Sequence, residues 1–226
     1  MFLFNELIEL WRSDNSLTQA LNDSHAMLES TNQMFQESVR SLRQSDAGEI
    51  GMNIYEKDQA VNRYEQQVRR KVLKHLAITG GVNIIPGLVL TSIVIDIERI
   101  GDYTKNIMGL AVAHPKRLHG GRYEEDLQKI EKSVGSLFEK LPPTLRSSAK
   151  EAARELMSEN SWIAKNCDHI VDSIIQTDDK TLAPGDAASI ALYARYLKRI
   201  SAHLLNITSS VVNPFEKVGF WEAPES

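Results

Sequence analysis

The segments ERIGDYTKNI (98–107) and KRISAHLLNI (198–207) decide the fold. Laid over one another without a gap, they match at Arg99 and Arg199, Ile100 and Ile200, Asn106 and Asn206, Ile107 and Ile207. A Pro-Gly pair precedes each, at Pro86-Gly87 and Pro184-Gly185. Upstream of each pair lies a segment with matching polar spacing, DQAVN (58–62) and DHIVD (168–172). The same features in the same order, twice, imply a duplicated structural unit.

Outward from these segments, the apolar residues recur with helical period and nowhere sustain the alternation of a strand. From Ser16, an expected N-cap, a stripe runs through Leu17, Leu21, Ser24, Leu28, Thr31, Phe35 and Leu42. SDAGEIG (45–51) breaks it. A second helix turns Ile54, Val61, Tyr64, Val68, Val72 and His75 inward, and TGGVNIIPG (79–87) reverses the chain. The third runs from near Gly87 to about Val112, with Leu90, Ile93, Ile97, Ile100, Thr104 and Ile107 in one stripe. AHPKRLHGGRY (113–123) reads as a linker. Its Lys116, Arg117 and Arg122 read as solvated charges ahead of an anion or partner site. The helical pattern resumes at Tyr123 and is expected to kink or break at Pro142-Pro143, where two donors are missing. A further long helix covers SWIAKNCDHIVDSIIQ (161–176), and the last runs from Ala187 to about Val212.

The predicted fold is all-α: two tandem antiparallel three-helix bundles with a short extra N-terminal helix. Its parts are an apolar N-terminal helix over 1–14, a first repeat over 15–113, a linker over 114–122, a second repeat over 123–213 and a tail over 214–226. Phe215, Phe220 and Trp221 are the tail's candidates for docking.

Composition narrows the function. The 226 residues are 42% hydrophobic and 25% charged, with a net charge of −4. That balance provides no field for wrapping nucleic acid. The single cysteine, Cys167, excludes an internal disulfide and any zinc site built on two cysteines. A reducing cytoplasm is the expected compartment. The uncharged run Leu76–Ile95 is long enough to span a bilayer, but Gly80, Gly81, Asn83, Pro86 and Gly87 make its first part a turn.

Three acids fall within DIERIGD (96–102), where a core-like run ends. Charge near a core needs a partner. Glu98 and Asp102 are one helical turn apart on one face, and Asp58, Asn62 and Glu65 share a face of the preceding helix. Oxygen ligands converging between helices suit a divalent or trivalent metal such as iron, zinc or magnesium. The plain alternative is exposed acids, with Glu98 paired to Lys105 or to a lysine of another helix. Asp96 and Arg99, three apart, are placed to pair with each other.

Enzyme readings find little support. Ferritin-like sites need Glu-x-x-His, and the six histidines have Asn22, Val72, Ala111, Lys116, Asn166 and Ile200 at that offset. No nucleophile sits in a recognisable turn, and no glycine-rich phosphate loop follows a strand. Cys167 reads as a small buried hydrophobe. The cluster Arg63, Arg69, Arg70, Lys71 and Lys74 complements a helix C-terminus.

D-x-x-V-N-x-x-E at 58–65, a Pro-containing turn, then D-I-E-R-I-G-D-Y-x-x-N-I at 96–107, followed by a second copy, resembles the PhoU family over roughly residues 15–212. The resemblance implies a non-enzymatic regulator of phosphate uptake and signalling, acting between a phosphate transporter and a sensor kinase. It also implies that Glu98 and Asp102, with Asp58 and Asn62 facing them, hold a metal. The second copy departs from the pattern, with Lys198 and Ala202 where the acids belong. Asp168 and Asp172 survive there, so the Lys198 ammonium is expected to take the cation's place and leave one metal-competent face. Two rivals stand beside this reading: a metal-dependent enzyme using the same acids, and a structural bundle with a decayed site. A homodimer is the expected assembly. The N-terminal MFLFNELIELW (1–11) carries too many apolar groups to stay wet. It is expected to fold back on the bundle or a dimer mate; the alternative is docking on a transporter or at the membrane interface.

Overall fold

The computed structural model describes residues 16–46, 51–114, 116–176 and 181–220. The apolar N-terminal segment and Trp221 lie outside them. Seven α-helices are described: α1 (Ser16–Gln44), α2 (Ile54–Thr79), α3 (Ile84–Ala113), α4 (Glu124–Ser147), α5 (Lys150–Asn160), α6 (Trp162–Gln176) and α7 (Pro184–Ser209). Helices α1 to α3 form the first bundle. Helix α4, the α5–α6 pair and α7 form the second. The third helices, α3 and α7, pack against each other.

Local chemistry sets the helix ends. The Asn53 side chain accepts from the Glu56 N–H, capping α2. At its other end Gly80 sits at φ 64°, left-handed, and its N–H bonds the Leu76 carbonyl. A Cβ on Gly87 would come 3.0 Å from Val72 Cγ1, so glycine there lets α3 close on α2. Pro184 occupies the first turn of α7, where its missing N–H is harmless.

The interior is continuous. Phe35 of α1 and Phe138 of α4 meet with ring centroids 5.2 Å apart, joining the two bundles through one core. Buried leucines, isoleucines and valines of α1 to α3 pass directly into those of α4 and α7.

Four expectations change. Helix α4 is not broken at Pro142-Pro143 but runs on to Ser147. The prolines lie close to its end, and buried Leu141, Thr144 and Leu145 hold it in place. The helix expected through 161–176 instead begins at Trp162, after a tight turn in which the Ser161 N–H bonds the Ser158 carbonyl and separates it from α5. The 116–122 segment keeps Lys116, Arg117 and Arg122 exposed, as expected of a linker, but its backbone is strapped to the bundle. Leu118 is buried, its N–H bonds the Leu42 carbonyl, and the Arg117 N–H bonds Asp46. In the tail, Phe215 packs on the core whereas Phe220 is exposed.

Candidate carboxylate site and the seam between repeats

The first repeat brings its expected acids together around an ammonium. Lys105 Nζ lies 2.9 Å from Asp58 Oδ2 and 3.0 Å from Asp102 Oδ1, tying α2 to α3. Asp58 is only 8% exposed. Burial alone would lower the Lys105 pKa, but the two carboxylates outweigh it and hold the ammonium above its usual range. Arg99 lies across the outer edge, 3.6 Å from Glu98 and 3.7 Å from Asp102. Burial and the adjacent Asp102 carboxylate push Glu98 up, against the pull of Arg99, and Glu65 adds to the rise. Glu65 itself is bridged by Arg69 at 2.8 Å. Asn62 is half-buried on the same face of α2.

This donor set does not fit a metal as it stands. Two of its carboxylates are committed to Lys105, a third is held by Arg69, and Glu98 lies beside Arg99. Among the described residues, no three acidic, histidine or cysteine side chains are grouped to hold an ion. Lys105, three residues beyond Asp102 on α3, places its ammonium between Asp58 and Asp102.

The second repeat uses a different lysine. Lys198, at the position equivalent to Glu98, bonds both oxygens of Asp168 at 2.7 and 2.5 Å. Asp172 is exposed, and Ala202 stands opposite the Asp102 position. The counterpart of Lys105 is Leu205, so the two ammonium groups are not related by the repeat.

Asp96 does not pair with Arg99. It accepts at 2.6 Å from His203 Nδ1 and at 3.3 Å from Asn206 Nδ2, both on α7. Tyr103 stacks on His203 with centroids 5.8 Å apart and lies 6.2 Å from Tyr196. Arg199 covers the Tyr103 ring and donates to its hydroxyl at 3.1 Å. Overlaying the repeats exchanges Asp96 with Tyr196 and Tyr103 with His203. The contacts 96–203 and 196–103 are therefore equivalent, as a pseudo-two-fold axis between α3 and α7 requires. The sequence repeat carries that signal, but only the antiparallel crossing of α3 and α7 makes it visible.

A further inter-repeat cluster left no local trace. Arg43, near the end of α1 and only 5% exposed, donates at 2.6 Å to Glu124, at 2.8 Å to Glu131, and to the Leu118 carbonyl. The Tyr193 hydroxyl donates to Glu131 at 3.0 Å. Burial pushes Glu131 up despite Arg43, and drives fully buried Tyr193 well above the phenol range. Burial also pushes the Cys167 thiol up to about 12, which leaves it unreactive at neutral pH.

Two three-helix bundles fused through their third helices, each with a carboxylate–lysine bridge, define an all-helical tandem-repeat protein. Residues 25–111 match the PhoU domain family. The fold of the chain is similar to the crystal structure of PhoU from Pseudomonas aeruginosa, at TM-score 0.77 and 18% identity, over 87% of this chain and 95% of that one. It is also similar to the phosphate transport system regulatory protein PhoU from Streptococcus pneumoniae, at TM-score 0.76 and 17% identity, over 87% and 93% respectively. No curated protein matches the sequence.

Proposed function

We propose that this chain regulates phosphate transport by protein contact and performs no chemistry of its own. The supporting observation is the PhoU domain match across α1 to α3, extended by a shared fold over both repeats. The chemistry of the acid face agrees with a structural role. Its carboxylates are engaged by neighbouring cations, Asp58 through a bridge to Lys105 that joins α2 to α3, and the one thiol is buried and protonated.

The partner is a phosphate transporter or its sensor kinase, met at the cytoplasmic face of the membrane. Affinity purification of the tagged full-length chain from native membranes, with and without excess phosphate, tests this. The expected result is co-purification of a transporter or kinase subunit in a phosphate-dependent amount. Absence of both partners, together with unchanged phosphate uptake when the chain is deleted, contradicts it.

Within that role the Lys105 ammonium is the resident cation of the first repeat, and a metal enters only by displacing it. Elemental analysis of the wild type and of Lys105→Ala tests this reading.

A further inference from the structure

The hairpin formed by the end of α2 and the start of α3 has an unusual surface. Leu73, Ile78, Val82 and Ile84 are 70%, 72%, 59% and 51% exposed, and Ile85 and Leu88 are each 38% exposed. Five of these six fall between positions 78 and 88, around the turn itself. Isolated exposed aliphatics are ordinary, but a cluster at one end of a bundle marks an interaction surface.

The charge around this cluster is one-sided. From Gln66 to Ile95 the chain holds Arg69, Arg70, Lys71 and Lys74 and no Asp or Glu, although the whole protein carries −4. Helix α1 packs on both arms of the hairpin and offers Asp23, which is used by Lys71 at 2.6 Å. Its first turn has no acid. Arg69 is bridged by Glu65. Arg70 and Lys74 are exposed and have no ion-pair partner among the described residues. They lie one turn apart, with Ile78 one turn further on, so the same face of α2 runs from cationic to apolar toward the turn. The 3-10 turn Phe215–Lys217 packs on α3 and adds one acid and one base, which cancel.

From this surface we infer that the α2–α3 hairpin is a membrane-contacting tip, which inserts its aliphatic turn among the lipids of an anionic bilayer while Arg70 and Lys74 meet the headgroup phosphates. Exposed aliphatics at a helical turn beside unpaired cations match the chemistry of an anionic lipid surface. Aliphatic insertion and attraction of basic residues to anionic lipid act together at such interfaces. Among the described residues, no helix is long and apolar enough to cross the membrane, so the contact is peripheral. The inference stands on the surface chemistry of the hairpin and does not depend on the regulatory reading.

Co-sedimentation of the full-length chain with vesicles tests it. One set is phosphatidylcholine alone, and the other is equal parts phosphatidylcholine and phosphatidylglycerol. Binding to the anionic set is expected to exceed binding to the neutral set by about tenfold or more and to fall as salt rises. The pair Ile78→Ser with Ile84→Ser, and separately the pair Arg70→Glu with Lys74→Glu, should each abolish it. These side chains are exposed, so helical content should stay unchanged by circular dichroism. The pair Lys129→Glu with Lys132→Glu on α4 should leave binding intact. The inference is overturned if anionic vesicles do not bind the chain, or if binding survives both hairpin pairs. It is equally overturned if removing residues 1–15 alone abolishes binding, which moves the contact to the N-terminus. It fails too if the hairpin pairs only convert a dimer to a monomer, which makes the tip a contact between copies.

Discussion

At the scale of single residues, Lys105 and Arg43 carry the electrostatics. Lys105→Met leaves the buried Asp58 carboxylate without its donor. Loss of that bond should destabilise the fold by about 1–2 kcal/mol, read from the urea midpoint. Arg43→Met strips a nearly buried guanidinium from Glu124 and Glu131 together and should cost about 3–5 kcal/mol. Glu98 has the opposite sign. Its folded pKa is raised, so its favourable contribution is complete below the unfolded carboxylate value and is lost as pH rises through the folded value. Glu98→Gln should therefore raise the thermal midpoint at pH 7–8 and leave it unchanged in mild acid. Thermal melts at the two pH values check this, and an equal shift at both would contradict the assignment.

At the scale of elements, the turns govern how α2 meets α3. Gly80 holds a left-handed conformation that a side chain disfavours, so Gly80→Ala should destabilise by about 1 kcal/mol in urea titration. Helical periodicity made the first three helices legible in the sequence, and the repeated ERIGDYTKNI and KRISAHLLNI segments placed α3 and α7 as partners in the duplication. What periodicity could not show was which face meets which helix. The sequence pairs Asp96 with Arg99 because intrahelical spacing is visible there, whereas His203 lies 107 residues away. Arg43 leaves no local signal for the same reason, its partners lying 81 and 88 residues further on. Pro142-Pro143 misled because a proline's effect depends on how much helix follows and on what packs around it, and only the tertiary structure shows either. The acid face was legible as a set of side chains. Its cation was not, because Lys105 served in the sequence only as one candidate partner for Glu98.

At the scale of the whole molecule, the two repeats share a core and two polar clamps, the Arg43 cluster and the α3–α7 seam. They should therefore unfold as one unit. Circular dichroism and tryptophan fluorescence should give coincident urea transitions, whereas separate midpoints would mean that the bundles are independently stable. Duplication followed by divergence also accounts for the charge pattern. Each repeat keeps an aspartate on its second helix, buried Asp58 or more exposed Asp168, and each pairs it with a lysine from its third helix. The lysines come from different positions, so the requirement for a cation outlasted the particular residue that meets it. The measurement that tests this most directly is metal content, by elemental analysis, of the wild-type chain and of Lys105→Ala, both purified without chelator. An internally neutralised site predicts no stoichiometric metal in the wild type and a gain of bound divalent or trivalent metal in Lys105→Ala. Stoichiometric metal in the wild type, lost in Glu98→Ala with Asp102→Ala, would contradict it.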